Sequence, residues 1–543
     1  MRRQYVELLK VLLGHRFIVP SIAVLVVASG AVLFTLVGRD FFPVIDGGRI
    51  QLHVRAPAGT RIEATERLFQ EIEDKIREAI PEHDRELIVD NIGLPARPYN
   101  LAFTDGSTIG VNDGVILVAL KDGHAPTEDY VRKLRRELPG AFPQAVFYFQ
   151  AADMVTQILN FGLPAQIDVR TVGYDRANNL KVAHELRRRL TTIPGVVDAH
   201  LQQEVDAPSF FAEIDRTRAA QLGLSASTIA NNINVSLSSS EQVTPNFWTD
   251  PTSGIPYYIA VQTPERQVAS LNDLGNTPVS TAIATDTNVP GVPVPGLLSN
   301  VTTIRRDSLP TNSNQANIQP VYEVYASVQG RDLGRVSDQI QAIVADLQKT
   351  LAPGNTIQVV GQIQSMNDSF ANLGIGLVFA AVLVYLLMVV NYQNFGDPLV
   401  VLLALPATFC GILTMLFATG TTLSVPSLMG AIMAIGVASA NSILLVTFAR
   451  EQTQAGMSVR EAAIAAGHTR IRPVLMTAAA MIVGMVPMAI GAAGEEQNAA
   501  LARAVIGGLL FATPTTLLVV PWLFAKLRAG SGRLSGAVFE EVP

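Results

Sequence analysis

The sequence predicts a membrane protein in which six transmembrane helices carry a large α+β region of repeated strand–helix–strand units. One apolar run lies at 17–37, and five more lie between 373 and 525. About 330 residues of ordinary soluble-looking sequence separate the first run from the others. Each run approaches the roughly 20 residues that cross about 30 Å of hydrocarbon as a helix. A single anchor, a large exposed region and a five-helix cluster are typical of a membrane transport machine.

Composition narrows the function classes. The chain has 543 residues and a formal net charge of −6, without a basic cluster, which argues against a nucleic-acid partner. Cys410 is the only cysteine and lies in an apolar run, so neither an intrachain disulfide nor a cysteine metal site is possible.

The first apolar run is expected to be a retained helix. Basic residues precede it, as in a signal peptide. However, the run is longer than a usual signal core, and no small-residue cleavage site is evident before Gly38-Arg39-Asp40.

The spans are predicted at 17–37, 372–391, 398–418, 426–449, 473–492 and 504–525. Basic residues mark the cytoplasmic side of a membrane protein. They cluster before the first span, between the fourth and fifth, and after the sixth, at Arg2, Arg3, Lys10, Arg16, Arg450, Arg460, Arg470, Arg472, Lys526, Arg528 and Arg533. Both termini are therefore expected inside. Residues 1–38 would comprise the cytoplasmic N-terminus and the first span, 372–528 the five-helix bundle, and 529–543 the cytoplasmic tail. Residues 38–371 would lie outside, which in a two-membrane bacterium places them in the periplasm and the spans in the inner membrane.

The exterior region reads as repeated strand–helix–strand units. Alternating residues predict a strand at 49–55, and helical spacing predicts a helix at 61–80. Further strands and helices follow at 86–92, 114–120, 127–138, 145–150, 165–172, 176–190, 197–202, 321–327, 333–351 and 357–360. Repetition of this kind indicates split β-α-β modules with antiparallel sheets.

Residues 225–315 break this repetition. They are rich in Pro, Thr, Ser, Asn and Gly, with short strand-like pieces such as 256–261. We expect an inserted β-rich subdomain; the alternative is a disordered insert. Phe247, Trp248, Tyr257 and Tyr258 favour the subdomain, because disordered segments are poor in aromatic residues.

Several short motifs are spread along the chain. They are Phe41-Phe42-Pro43, Ala56-Pro57-Ala58-Gly59-Thr60, Ile214-Asp215-Arg216, Leu222-Gly223-Leu224-Ser225, Phe395-Gly396-Asp397-Pro398, Asn441-Ser442-Ile443-Leu444-Leu445-Val446, Arg472-Pro473-Val474-Leu475-Met476-Thr477 and Gly507-Gly508 through Pro521. These motifs resemble the C-terminal half of a resistance-nodulation-division (RND) efflux permease, of the hydrophobe and amphiphile type. They occur in the family's order from about residue 10 to 528, and together they are specific although each alone is weak.

The resemblance implies a domain layout. A first porter-like module would occupy 39–155, and a second one 156–224 with its return at 316–371. A docking-like insert would occupy 225–315.

The resemblance also implies an assembly. Full permeases have two such halves, form trimers, work with a periplasmic adaptor and an outer-membrane channel, and export compounds with the proton gradient. This chain matches only the second half, so we expect a half-permease that pairs with a separately encoded N-terminal half, or a fragment of a full permease.

The membrane helices are poor in titratable groups. From 398 to 449 there is no Asp, Glu, Lys, Arg or His, although a proton-driven transporter needs such groups in the bilayer. The family's paired aspartates belong to the other half, and Ala440 stands where drug exporters usually carry a lysine. Asn441 and Thr477 remain as candidates for supporting a proton relay. The alternative is that they only hold membrane helices together by hydrogen bonds.

Four small residues recur every four positions in the fourth span: Gly430, Ala434, Ala438 and Ser442. Such a stripe predicts close packing against another helix. The sequence does not show whether that helix belongs to this chain.

No catalytic residue, cofactor site or metal site is predicted. Between 40 and 360 the only methionine is Met154, so a multi-methionine copper site is excluded. His53, His83, His124, His184 and His200 are scattered and read as surface or core residues. These observations favour a small amphiphilic organic cargo. Phosphate-loop, zinc-protease and serine-hydrolase motifs are absent from the sequence.

Two other functions compete with the half-permease. One is a six-helix accessory of protein export, which the repeated modules disfavour. The other is a truncated remnant or membrane scaffold that does not transport, a reading supported by Ala440 and by the absence of the first half.

Overall fold

The computed structural model describes residues 2–15, 17–94, 106–160, 162–280, 296–403, 405–491 and 495–531. The chain divides into two compact units. One comprises 1–203 together with 313–543, and the other comprises 204–312.

The chain begins with helix α1 (Arg2–Gly14) and the first apolar helix α2 (Ile18–Leu36). One face of α1 is buried at Tyr5, Leu9, Leu12 and Leu13. The Tyr5 hydroxyl donates a hydrogen bond of 2.7 Å to the Leu517 carbonyl, which ties this helix to the last span.

The first module is an antiparallel sheet with two helices on one face. Its elements are β1 (Arg49–Arg55), α3 (Ile62–Ala79), β2 (Arg85–Ile92), β3 (Asp113–Leu120), α4 (Thr127–Ala141) and β4 (Val146–Gln150). The strand order is β2-β3-β1-β4. Alternate β1 residues such as Leu52 and Val54 pack against Phe69 and Ile72 of α3, which builds an apolar core.

The second module starts after a short helix and is completed much later in the chain. Helix α5 (Met154–Leu159) precedes β5 (Ile167–Val172), α6 (Arg176–Leu190) and β6 (Val196–Leu201). The Asp175 carboxylate caps the start of α6 by accepting from the Asn178 backbone N–H.

The second compact unit is the insert. It contains β7 (Ala207–Ile214), α7 (Arg216–Gln221), α8 (Ala226–Ser238), β8 (Phe247–Thr249), β9 (Pro256–Tyr258), α9 (Leu271–Gly275), β10 (Pro278–Val279), β11 (Gly296–Leu297), α10 (Leu298–Val301) and β12 (Thr302–Leu309). These elements and an apolar cluster around Ile229 and Val301 contradict the disordered alternative for the described part. Residues 281–295 of the predicted insert lie outside the described residues.

The insert starts earlier than the sequence suggested, at Glu204 instead of 225. The reason is a long-range pairing. All eight residues of β7 pair with β12, from Ala207 opposite Leu309 to Ile214 opposite Thr302. The segment that carries β7, which the sequence placed in the second module, therefore belongs to the insert.

The return segment completes the second module with β13 (Asn314–Ala316), β14 (Gln319–Val328), α11 (Leu333–Leu347) and β15 (Thr356–Gly361). The sheet order is β13-β14-β5-β15. Strand β13 pairs with the start of β14, at 319–321, and β6 pairs with its end, at 324–328. One face of this sheet packs Ile167, Val169 and Val324 against α6 and α11 in a second apolar core.

The remaining helices are α12 (Gln362–Tyr392), α13 (Gly396–Leu402), α14 (Leu405–Ala418), α15 (Val425–Gln454), α16 (Val459–Ile490), α17 (Glu496–Pro514) and α18 (Val520–Ser531). A π-helical turn at Thr515–Val519 joins the last two. With α2, these helices provide six stretches long and apolar enough to cross a membrane, as predicted. Most of the predicted C-terminal tail, from 532 onward, lies outside the described residues.

Several helices are longer than predicted, because an apolar run marks only the part of a helix that matches hydrocarbon. Helix α12 begins at Gln362, directly after β15, and not at 372. Helix α16 begins at Val459 and not at 473. Ser458 and Glu461 form a capping box that starts α16 well before its apolar stretch.

Candidate functional site

The small-residue stripe of α15 faces another helix of the same chain. Gly430, Ala434, Ala438 and Ser442 are all buried. A Cβ atom added at Gly430 would lie 2.5 Å from the Leu501 carbonyl oxygen of α17. Farther along, the Ser442 and Thr516 hydroxyls are 3.1 Å apart and hydrogen-bonded. Because the residues of the stripe are small, the backbones of α15 and the last span can lie in direct contact.

The residues proposed for proton relay are more exposed than this stripe. Ala440 is exposed on α15, and Asn441 is half-buried. Thr477 is exposed on α16, and its hydroxyl donates to the carbonyls of Pro473 and Val474 in its own helix, at 3.1 and 3.0 Å. Among the described residues the structure brings Asn441 and Thr477 into contact with no carboxylate.

Charged groups lie at the ends of the bundle. Arg450 pairs with Asp397 at 3.3 Å, donates to the Tyr392 carbonyl at 2.8 Å and stacks over that tyrosine's ring. At the other end, Arg503 donates to the Thr421 hydroxyl at 2.7 Å. Both arginines lie near the ends of the spans, where charge is tolerated.

Residues 38–41 connect α2, the second module and α15. The Asp40 carboxylate accepts from the Leu333 N–H at the start of α11, at 2.7 Å. Backbone bonds from the same segment reach Leu423 and Val425, at the start of α15. The end of the first span is therefore fixed to both the second module and the fourth span.

A cleft of about 880 Å³ opens beside this junction, between the two modules and the first span. Acidic and basic side chains share its walls, including Asp40, Asp46, Arg49, Asp153, Arg331 and Asp332. Thr127 donates to Asp46 through its hydroxyl and its backbone N–H. Although burial raises the pKa of Asp46, these hydrogen bonds outweigh burial and hold its pKa below the usual value.

The two modules meet through their polar sheet faces. On β1, residues 51, 53 and 55 alternate with the apolar core positions, so Gln51, His53 and Arg55 point away from the first core. On the second sheet, Asp168, Tyr325 and His200 lie directly opposite one another on adjacent strands and share one face.

Aromatic stacking crosses the interface between the modules. The Tyr148 ring lies 4.3 Å from that of His53 in the first module and 3.8 Å from that of His200 in the second. His200 in turn meets Tyr325 edge-on at 5.8 Å. We use the name polar seam for the polar side chains that meet at this interface and for those that continue from it along the second sheet. They are His53, Arg55, Asp113, Tyr148 and His200, followed by Tyr325, Asp168, Arg170 and Glu323.

Charged groups in the first module's half of the seam compensate one another. Asp113 is fully buried, is hydrogen-bonded to His53 and pairs with Arg55 at 3.1 Å. Burial raises the pKa of Asp113, but His53 and Arg55 outweigh it and hold the pKa below its ordinary value. Arg55 also donates to the Gln202 carbonyl of the second module at 3.2 Å.

The second module's half of the seam contains two carboxylates and one guanidinium. Arg170 lies 2.7 Å from Asp168 and 3.1 Å from Glu323. Burial and the nearby Glu323 raise the pKa of Asp168 to about 7, although Arg170 opposes the shift. Burial lowers the pKa of His200 to about 3, so this imidazole is neutral at physiological pH.

A second contact between the modules lies beside the seam. Arg135 of α4 binds Asp198 of β6 through two bonds of 2.9 and 2.6 Å. The Phe149 N–H also donates to this carboxylate at 3.0 Å. The backbone of Asp198 has a positive φ of 56°, a conformation that non-glycine residues rarely adopt.

The sequence predicted surface or core positions for the histidines, and the structure buries His53 and His200; it also brings these two together, which their spacing did not indicate. His53 and His200 meet through Tyr148 in the seam, whereas His83 and His184 are exposed. The strand Arg49–Arg55 offered a partial signal, because its polar residues alternate with apolar ones; two of them, His53 and Arg55, are buried in the structure. In the described residues, no three His, Cys, Asp or Glu side chains form a group that could hold a metal ion.

Comparison with known proteins identifies the family. The model of the AcrB/AcrD/AcrF family matches residues 1–528. The cation efflux system protein CzcA of Alcaligenes sp. (strain CT14) is 26% identical over 528 residues, covering 96% of this chain and 48% of that protein. The nickel and cobalt resistance protein CnrA of Cupriavidus metallidurans is 28% identical over 518 residues, covering 93% and 46%. The swarming motility protein SwrC of Bacillus subtilis is 26% identical over 538 residues, covering 96% and 47%.

The fold is similar to that of a solved heavy metal efflux pump. In its crystal form II the TM-score is 0.80 at 25% identity, over 97% of this chain and 51% of that one. The chain thus spans about half the length of the relatives it matches.

These relatives contradict the expectation of a hydrophobe and amphiphile exporter with an organic cargo. The name of CzcA refers to cation efflux, and that of CnrA refers to resistance to nickel and cobalt; neither name mentions an organic compound. The scarcity of methionine excluded only a soft thioether site for Cu(I); cobalt, nickel and zinc also accept imidazole and carboxylate ligands. The family match over 1–528 establishes the identity: the chain belongs to the AcrB/AcrD/AcrF family of RND efflux permeases.

Proposed function

We propose that this chain is the C-terminal half of an RND permease that exports metal cations from the bacterial inner membrane. The observation that carries this proposal is its match, across nearly its whole length, to half of cation and metal-resistance transporters. The first and second modules would form the periplasmic porter region, and the insert the docking region. Assembly would be trimeric, with an adaptor and an outer-membrane channel.

An exposed face of α15 supports the need for a complementary N-terminal half. Met429, Met433, Gly436 and Ala440 are exposed on the side opposite the small-residue stripe. Gly436 and Ala440 are small, as expected where another membrane helix approaches closely. The proposed occupant of this face is the N-terminal half.

The cleft beside residues 38–41 supports a cationic cargo. Carboxylates of Asp40, Asp46, Asp153 and Asp332 line it and would attract divalent cations from the periplasm. The interleaved arginines weaken that attraction, so we propose the cleft as an entry path and not as a tight binding site.

Proton coupling would require carboxylates from the N-terminal half. Among the described residues, the buried ion pair of Asp397 lies at the end of the spans and not at their centre. Asn441 and Thr477 would lie near the partner's carboxylates and support a relay through hydrogen bonds. Ala440 supplies no cation, so any counter-charge would also come from the partner.

A chimaera tests the cargo. This chain would replace the matching half of CzcA in a strain lacking its own zinc and cobalt exporters. We expect restored resistance to these ions and efflux of radioactive zinc that stops when the proton gradient is collapsed. A chimaera that inserts and assembles but leaves resistance and efflux at the vector level would refute the proposal.

The relay is tested in the same chimaera by Asn441→Ala and Thr477→Ala. Reduced efflux with unchanged assembly would support the relay. Weaker assembly at unchanged efflux per assembled complex would show that these residues only hold helices together. The chain alone in proteoliposomes should show no zinc movement driven by a pH gradient.

The orientation is tested by cysteine labelling in a Cys410→Ala background. Asp46→Cys should react with an impermeant reagent applied from the periplasmic side, and Ser531→Cys should not. The reverse pattern would invert the proposed topology.

A further inference from the structure

Several basic side chains at one end of the helical bundle have no carboxylate partner in the described part of the chain. Helices α1, α16 and α18 carry many cations there but only two acids, Glu7 and Glu461. Arg450 is paired with Asp397 at this end. In contrast, no described carboxylate pairs with Arg2, Arg3, Lys10, Arg460, Arg470, Arg472 or Lys526. The counter-charge for these cations is therefore available only from outside the described residues.

Helix α1 lies antiparallel to the first turns of α16. The Lys10 carbonyl accepts at 3.4 Å from a guanidinium in the first turn of α16. Farther along α16, a Cβ atom added at Gly467 would collide with the Tyr5 hydroxyl. Contacts thus move up α16 as α1 is followed towards its start. The same course carries Arg2, one turn before Tyr5, towards Arg470.

Arg2 and Arg470 have similar surroundings. Each is half-buried, with its Nε atom covered by protein and without a hydrogen-bond acceptor among the described residues. The Arg470 guanidinium lies over the Phe448 ring at 5.4 Å, which holds the side chain in place. Polar groups in packed surroundings are normally paired. Two fixed guanidinium groups without a counter-charge therefore fit an anion with several acceptor oxygens, such as a phosphate.

These two arginines lie at the depth of the lipid headgroups. Arg470 precedes the span predicted at 473–492 by three residues. The Tyr5 hydroxyl bonds to Leu517, which lies within the last span. Tyr5 and Trp522 share the apolar cluster of this end of the bundle, and such side chains are frequent at membrane–water interfaces. The anions at this depth are the phosphates of the cytoplasmic leaflet.

We propose that Arg2 and Arg470 form a binding site for one anionic phospholipid, whose phosphate they hold between α1 and α16. Phosphatidylglycerol carries the required negative charge, whereas phosphatidylcholine has no net charge. The exposed apolar side chains of Leu8 and Val11 give α1 a further surface for lipid. The site rests on the proposed membrane orientation and not on the cargo, and it fixes α1 to the cytoplasmic leaflet whatever ion is exported.

The fluorescence of a single tryptophan tests the site. The chain has two tryptophans, so Trp248→Phe leaves Trp522 alone, in the same apolar cluster as Tyr5 and Ile471. Bromine quenches an indole only over a short range. The full chain in phosphatidylcholine bilayers would therefore be titrated with brominated phosphatidylglycerol or brominated phosphatidylcholine. We expect a preference for phosphatidylglycerol of more than about ten-fold, because each cation near an anionic lipid contributes about five-fold. Equal quenching by the two lipids would overturn the proposal.

Two substitutions assign the preference to the arginines. Arg470→Gln and Arg2→Gln should each lower it about five-fold. Arg472→Gln is the matched control, because Arg472 is an exposed arginine two residues farther along α16 and its loss changes the net charge equally. It should lower the preference less than about two-fold, since exposed charges are screened. Equal losses for Arg470→Gln and Arg472→Gln would mean that the overall charge attracts lipid, and the proposal would fail.

The emission maximum of Trp522 without bromine reports whether a variant keeps its packing. If Arg470→Gln shifts this maximum, Arg2→Gln decides the question alone. An unchanged preference in a packed Arg2→Gln variant would refute the site.

Inorganic phosphate separates a lipid site from a general anion site. Compared with sodium chloride at equal ionic strength, it should leave quenching by brominated phosphatidylglycerol unchanged, because free phosphate lacks the acyl chains that hold a lipid at this depth. Displacement of the lipid by phosphate, beyond that by chloride, would show that the arginines take a free anion, and the lipid proposal would fail. No cargo is present in these measurements, so their outcome is independent of the proposed metal export.

Discussion

The polar seam and the contact between α15 and α17 both hold large parts of the chain together, but they do so in opposite ways. The seam joins two sheets through histidine, tyrosine and charged side chains. The helix contact joins two spans through glycine and alanine, with Gly430 against the Leu501 carbonyl and Gly508 against Ala434. Polar and aromatic side chains make the contact between the modules, and close packing of small residues makes the contact between the spans.

The difference reflects the two solvents. In water, the seam's polar groups lose little when they exchange partners. In lipid there is no hydrophobic force between helices, so association depends on van der Waals contact between closely packed backbones. A substitution should therefore have a large effect at the helix contact and a smaller or pH-dependent effect at the seam.

The largest effect is expected for Gly430→Ala. The new Cβ would lie 2.5 Å from the Leu501 carbonyl oxygen and push α15 away from α17. We expect a loss of about 2–3 kcal/mol in stability, seen as a lower unfolding temperature in detergent. Gly436→Ala is the matched control, since nothing lies within 4 Å of its added Cβ. Equal unfolding temperatures for the two variants would show that close packing at Gly430 does not determine the stability of the helix contact.

Arg135→Met should have the next largest effect. It removes a two-bond contact with Asp198, whose carboxylate is almost fully buried. We expect a loss of about 2 kcal/mol and faster proteolysis between the modules. Arg132→Met, which breaks only exposed pairs with Glu128 and Asp129, should cost less than about 0.5 kcal/mol. If Arg132→Met destabilised the chain as much as Arg135→Met, the buried contact would contribute no more to stability than an exposed ion pair.

The pH dependence of stability should distinguish the seam from the helix contact. Because the pKa of Asp168 is raised to about 7, its protonated form stabilises the fold, and this stability is lost as pH rises towards and through 7. The slope is at most about 1.4 kcal/mol per pH unit. Thermal unfolding of Asp168→Asn should fall less between pH 5 and pH 8 than that of the parent chain. Parallel curves for the two proteins would contradict this assignment.

The hydroxyl pair of Ser442 and Thr516 should contribute modestly. The two side chains are buried and 3.1 Å apart. A double-mutant cycle of Ser442→Ala and Thr516→Val should give a coupling of about 0.6 kcal/mol, the average for hydrogen bonds between membrane helices. A coupling of zero would mean that van der Waals packing, and not this hydrogen bond, stabilises the contact between the two spans.

Thr477→Ala should have the smallest effect on the chain alone. The side chain is exposed and its hydroxyl bonds only to its own helix. We expect a change of less than about 0.5 kcal/mol in the unfolding free energy. A larger loss would place Thr477 in the internal packing of this half, and not on a surface awaiting a partner.

Much of the fold could be predicted because its signals are local. Apolar runs of sufficient length gave the six spans, since every buried backbone group in lipid must bond within its own helix. Alternation in Arg49–Arg55 and helical spacing in Arg176–Leu190 gave a strand and a helix at those bounds. The stripe Gly430, Ala434, Ala438 and Ser442 was visible from its spacing alone.

The candidate site was much less predictable, because it depends on pairings between distant segments. Nothing near His53 in the sequence indicates that Tyr148 and His200 stack beside it. Likewise, the insert began at Glu204 because β7 pairs with a strand more than 80 residues away.

The sequence by itself determined which segments are helices, strands and spans, since each follows from the hydropathy and periodicity of neighbouring residues. Only the tertiary structure decided what the polar faces of the two sheets do. One face of each sheet is buried by its own helices, and the opposite faces meet where the Tyr148 ring stacks on His200. On that second face, burial of Asp168 and the nearby Glu323 raise the pKa of Asp168 to about 7.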